Sequence, residues 1–157
     1  MLDRILLPRF HFMTRSTPLH TFQVDALQVE IYRQEADLVS HLVQTTQSYL
    51  RAVVERQGAA AAILASGASQ IKLLKDLTTF GEIDWGRLTL FHLDEYLGIG
   101  GTHPASFQLF MRELVEQKVS PRKFNYLAGD TVDPFAECYR YHGLLSAQPI
   151  DLCFLGI

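Results

Sequence analysis

The 157-residue chain is long enough to bury one core, and its 48% hydrophobic and 20% charged residues are those of a globular domain rather than a disordered one. A net charge of -3 gives no electrostatic footprint for nucleic acid or an anionic membrane as partner, although a local site can still take an anionic small molecule. Cys138 and Cys153 lack CxxC spacing and are too few for a secreted disulfide framework. No apolar run approaches ~20 residues, and Asp3, Arg4, Pro8, Arg9 and His11 interrupt any signal-peptide core. The expectation is a cytoplasmic protein without a membrane span.

Residues 1–26 show no period and are expected to form an irregular N-terminal extension, with Thr14 to Pro18 as loop. From Val24 to Tyr32 apolar residues alternate at Leu27, Val29 and Ile31, the period of a strand. Gln34 to Arg56 reads as a long amphipathic helix, with Leu38, Leu42, Tyr49 and Val53 on one stripe and Val39 and Leu50 beside it. Gly58 is its stop. The small apolar run Ala59–Ala65 is expected to be a buried strand, because a Gly/Ser turn follows it.

That turn is Ser66-Gly67-Ala68-Ser69, and Ile71, Leu73, Leu74 and Leu77 after it mark a helix. Strand, Gly/Ser turn and helix together present free N–H groups and a positive dipole end to an anion. A plain tight turn with Ser69 as N-cap fits the same residues. Leu88 to Leu93 reads as a buried strand, and Asp94, Glu95 and Tyr96 then arrive together before the glycines at 98, 100 and 101. Acidic residues just past the carboxyl end of a strand lie where open α/β sheets place their ligands. Asp94 is the leading catalytic candidate. By strand alternation Asp94 and Glu95 point opposite ways, and Glu95 fits a helix cap or a surface ion pair as well as a cleft.

A helix is expected to start at Pro104, capped by Thr102 or His103, with Phe107, Phe110, Met111 and Leu114 as its buried face. Phe124–Leu127 suggests a short strand. Asp133-Pro134 starts a helix to about Leu145, and Ile150 to Ile157 reads as one more buried strand. Strand and helix in alternation predict an α/β fold, a parallel sheet with helices on both faces. Because the chain stops on a core-like strand, residues 1–157 are expected to be the amino-terminal portion of a single larger domain. The alternative is a short protein whose last strand docks at an edge.

There is no P-loop and no nucleophile elbow. His92 and Asp94 share a strand face and His103 is nearby, but this is weak ligand spacing, and no metal site is expected. His92 fits a hydrogen-bonding role at the strand end or simple packing.

Leu64 to Gln70, Thr89 to Gly98, His103 to Phe107, Ala136 to Cys138 and Ile150 to Ile157 together resemble the glucosamine-6-phosphate deaminase (isomerase) family, which shares its fold with 6-phosphogluconolactonase. The likeness runs from about Val29 to the last residue. In lactonases the triplet matching Asp94-Glu95-Tyr96 typically ends in Arg, so Tyr96 favours the deaminase side. The resemblance implies a modified Rossmann-like, three-layer fold, truncated at its carboxyl-terminal side, and a sugar 6-phosphate substrate. It implies a phosphate-binding turn at Ser66, Gly67, Ala68 and Ser69, and Asp94 as the base that moves a proton between C1 and C2 of the opened sugar. Glu95, His92, Tyr96 and His103 would support them. Ammonia and fructose 6-phosphate would be the products, with no organic cofactor. A homo-oligomer is compatible with the family. The turn departs from the Gly-Thr-Pro of well-known deaminases, which leaves the sugar open. The family's ring-opening His lies in a segment beyond the matched residues, so this chain is expected to be inactive by itself. A lactonase and a non-catalytic sugar-phosphate-binding protein are the competing readings.

Overall fold

The computed structural model describes residues 16–80 and 82–156. Contacts divide the chain into two compact units, one up to His41 and one from Leu42 onward. In the first, β1 (His20–Val24) and β2 (Leu27–Ile31) form an antiparallel hairpin closed by Asp25, which takes the left-handed φ of +51° that a two-residue hairpin turn needs. The expected irregular extension over 1–26 is therefore corrected for its described part. The regular pairing of Thr21 with Glu30 and Phe22 with Val29 makes β1 a strand, and its first residues had no partner to suggest one locally. Residues 1–15 of that extension lie outside the described residues.

α1 (Glu35–Gln57) spans the division between the units. Its buried stripe is Val39, Val43, Thr46, Leu50 and Val53, rotated from the expected one, and Leu38 and Tyr49 are exposed. The buried Thr46 conceals the stripe, and Tyr49 is held at the surface by donating its hydroxyl to the Asp151 carbonyl.

The second unit is built on a four-stranded parallel sheet in the order β5-β4-β3-β6. Its strands are β3 (Ala60–Leu64), β4 (Leu88–His92), β5 (Lys123–Asn125) and β6 (Leu152–Cys153). β3 lies between β4 and β6, and four of its five residues are buried. That central place explains why an Ala run that would suit a helix is a strand: small side chains let covering layers approach closely on both faces. The helices flanking the sheet are α2 (Ala68–Phe80), a helical run made of α3 (Phe107–Met111), a π turn (Arg112–Glu116) and α4 (Gln117–Val119), and α5 (Pro134–Ser146). α5 packs Tyr141, Leu144 and Leu145 on the face carrying Ala61 and Phe91, with the Tyr141 ring edge-on to Phe91 at 5.7 Å. Alternation turns Leu64, Leu88 and Leu90 to the opposite face. α2 contacts the π turn, and α3 contacts β4.

The helix expected from Pro104 begins at Phe107, with Ser106 as its N-cap accepting from the Leu109 amide. His103 and Pro104 instead occupy a turn, in which the Ser106 amide donates to the His103 carbonyl. Met111 and Val115 are its fully buried residues, and the expected Phe107, Phe110 and Leu114 are only half-buried. The π turn holds one extra residue per turn and so shifts the phase of the stripe. Among the described residues no helix is long and apolar enough to cross a membrane.

Candidate active site

The parallel registers bring two loops to one edge of the sheet. Leu64 pairs with His92 at the ends of β3 and β4, and the Leu93 amide donates to the Leu64 carbonyl at 3.0 Å. Ser66 and Asp94 thus each lie two residues beyond a matched pair, on neighbouring strands spaced about 4.8 Å apart. β6 ends on the other side of β3, where the Phe154 amide donates to the Ile63 carbonyl. A Cβ added at Gly156 would stand 3.2 Å from Ser69 Oγ. The carboxyl edge therefore gathers the Ser66 turn, the Asp94 loop and the end of β6.

In the turn, Gly67 has φ of +112°, a conformation that favours glycine, and α2 starts immediately after it. Ser66 Oγ is buried and has no hydrogen-bond partner among the described residues. Ser69 lies inside the first turn of α2, so it is not the N-cap, and its Oγ accepts from Gln70 Nε2 at 3.1 Å. The first amides of any helix have no intrahelical partner. A left-handed Gly, an unpaired hydroxyl and a helix start can together receive an anion's oxygens.

Asp94 and Glu95 have separated roles. Asp94 is exposed, and its carboxylate takes no hydrogen bond from any described residue. Partial burial, and then the charge of Glu95, push it above the usual carboxylate range. Glu95 folds back onto the start of α3. Its Oε1 accepts from the amides of Tyr96 (2.9 Å) and Phe107 (3.0 Å), and its Oε2 from the Ser106 hydroxyl (2.7 Å) and the Gln108 amide (2.8 Å). Burial alone would raise Glu95, but the hydrogen bonds from Gln108, Phe107, Ser106 and Tyr96 outweigh it and hold the carboxyl below its ordinary value. It is a helix cap supplied from a distance. Tyr96, half-exposed, lays its ring against Phe107 at 4.8 Å. His103 is exposed, and its Nδ1 accepts from the Ala105 amide within its own turn. Among the described residues no three His, Cys, Asp or Glu side chains converge as a metal site would require.

His92 is fully buried at the end of β4. Its Nε2 accepts from the Leu127 amide at 2.8 Å, so the neutral ring carries its proton on Nδ1. Nδ1 is buried and has no hydrogen-bond partner among the described residues. Desolvation lowers the ring to about 4, against the raising effects of Glu95 and the Asp94 backbone.

Sequence reasoning missed the strap that carries this loop. The Tyr141 hydroxyl donates to the His92 carbonyl at 2.8 Å and accepts from the His92 amide at 3.1 Å. Burial pushes that phenol up, so it stays protonated. Glu137 accepts from the Ala128 amide at 2.7 Å, and Arg140, paired to Glu137, donates to the Tyr126 carbonyl at 2.6 Å. The Gly98 amide donates to the Gly129 carbonyl at 2.7 Å. The segment 125–129 is thus pinned to α5 on one side and to the Asp94 loop on the other. The aromatic–aliphatic spacing of Tyr141, Leu144 and Leu145 was the available signal.

These features define a Rossmann-like parallel α/β domain whose polar loops meet at the carboxyl edge of its sheet. The chain belongs to the family described as glucosamine-6-phosphate isomerases/6-phosphogluconolactonase, which matches residues 33–157. It is similar to a glucosamine-6-phosphate deaminase of Lactobacillus delbrueckii subsp. bulgaricus, 37% identical over 102 residues, which are 64% of this chain and 43% of that protein. A deaminase of Streptococcus pneumoniae is 38% identical over 96 residues, 60% of this chain and 40% of that one. The chain spans less than half the length of these curated relatives. Among solved structures, a 6-phosphogluconolactonase from Shewanella baltica OS155 matches with a TM-score of 0.67 at 24% identity, over 75% of this chain and 50% of that one. A monomeric glucosamine-6-phosphate deaminase matches at 0.65 and 21% identity, over 73% and 48%. Both likenesses show the fold.

Proposed function

We propose that this chain carries the phosphate cradle and the proton-transferring carboxylate of a glucosamine-6-phosphate deaminase/isomerase-like enzyme. Ser66, Gly67, Ala68 and Ser69 receive the phosphate of the sugar. Asp94, which takes no hydrogen bond from the described residues and is raised in pKa, moves a proton between C1 and C2 of the opened sugar, a step that suits a carboxylate poised closer to neutrality. The observation carrying this reading is the matched ends of β3 and β4, which set the Ser66 turn and Asp94 on one edge. The deaminase relatives above 30% identity support a deaminase over a lactonase.

Amide spectra of the isotopically labelled chain test it without needing turnover. Glucosamine 6-phosphate should shift residues 66–69 and 94–96, inorganic phosphate residues 66–69 alone, and glucosamine neither. Shifts confined to other parts of the sheet refute the reading. In any active form that contains these residues, Asp94→Asn should lower ammonia release by about 10²–10⁴-fold.

A further inference from the structure

We propose that Glu95 is a positioning residue for Asp94: locked onto the start of α3, it fixes the loop and supplies an immobile negative charge beside the free carboxylate. The inference deepens the proposed function and rests on Asp94 being the reacting acid.

The geometry separates two adjacent acids that would otherwise be equivalent. Glu95 uses both carboxylate oxygens on four donors, three of them backbone amides within Tyr96–Gln108. A carboxylate held this way stays ionised and cannot swing toward a ligand. Asp94, its neighbour in sequence, has no such partners and is exposed. Tying residue 95 to residues 106–108 also ties down the loop between them, so Asp94 projects from an anchored backbone.

Among the described residues, the other groups around the loop leave Glu95 as the fixed charge acting on Asp94. The Ser66–Ser69 turn, which follows the neighbouring strand β3, carries no titratable side chain. His92 is neutral over the working range because burial lowers it to about 4. From the strap and α5, Glu137 and Arg140 are paired to each other. Asp130 lies against Gly100, and His103 is committed to its own turn. Without Glu95, the remaining influence on Asp94 is its partial burial.

Carbon-detected titration of the Asp94 side-chain carboxyl decides the matter, in the chain as it stands and with no ligand. Glu95→Gln should lower the Asp94 midpoint. Ser106→Ala, which loosens the same cap but keeps the charge, should leave it in place. An unchanged midpoint in Glu95→Gln, or equal displacement in both variants, overturns the proposal. Should Glu95→Gln fail to fold, the wild-type curves decide. Glu95 titrating below a solvated glutamate, with Asp94 above a solvated aspartate, supports the inference; the reverse order overturns it. The titration needs no turnover, so it fails or succeeds separately from the sugar-phosphate spectra that test the proposed function.

Discussion

Acidification from pH 7 toward 4 should destabilise the second unit through His92. The ring is fully buried, accepts from the Leu127 amide, and is lowered from 6.5 to about 4 by desolvation. A group with a depressed folded pKa contributes stability that is whole above its unfolded value of about 6.5. That stability is lost as pH falls toward the folded value, because the unfolded chain binds the proton first. The displacement corresponds to roughly 3 kcal/mol by pH 4, and to about 2 kcal/mol by pH 5. That is a large share of a domain stability of about 5–15 kcal/mol. Urea unfolding at pH 6.5 and pH 5 measures it. With a slope of about 2 kcal/mol/M, the midpoint should fall by about 1 M in the wild-type chain. His92→Gln is less stable at pH 7, through the altered contact to Leu127, but its midpoint should change much less between the two pH values. Asp94 and Glu95 titrate in both proteins, so the difference isolates the ring. Parallel pH dependence in wild type and variant would refute the argument that this imidazole is held neutral by burial.

Two further substitutions probe the strap beneath the loop. Tyr141→Phe removes the hydroxyl that both donates to and accepts from the His92 backbone. It should cost about 1–3 kcal/mol and speed hydrogen exchange at the His92 amide; unchanged exchange there would count against the strap. Gly129→Ala places a Cβ against the Tyr96 and Ile99 carbonyls, with Ile99 at 2.7 Å. The loop must shift, at about 1–3 kcal/mol, and amide shifts should concentrate at residues 96–99 rather than at the Ser66 turn.

The two central strands of the sheet were legible because each has a local signature that tertiary packing leaves intact, whereas the buried strand expected over 150–157 is reduced to Leu152–Cys153, neither of them buried. The apolar run before the Gly/Ser turn and the run before Asp94 ended within a residue or so of their observed bounds, and their parallel pairing followed from the intervening helices. The hairpin strand β1 was not legible, because its partner is what makes it a strand. The face of α1 was misread because a polar Thr46 occupies a core position and an apolar-bodied Tyr49 does not.

The site shows the same division more sharply. Because β4 ends at His92, before both acids, strand alternation could not say which of Asp94 and Glu95 was free. That depends on the helix start at Ser106 to Gln108, eleven to thirteen residues later in the chain. The local cap-plus-Pro rule placed that start at Pro104, and the rule was sound in itself. The chain uses His103 for a turn instead, because a better cap is available: a full carboxylate brought in from the end of β4. A charged acceptor for several amides outweighs one side-chain cap, so the helix begins where Glu95 can reach. The boundary error and the assignment of the free acid are therefore one fact. Only a contact across the loop determines both, and that contact leaves Asp94 exposed just past the end of β4, whose neighbour β3 leads into the Ser66 turn.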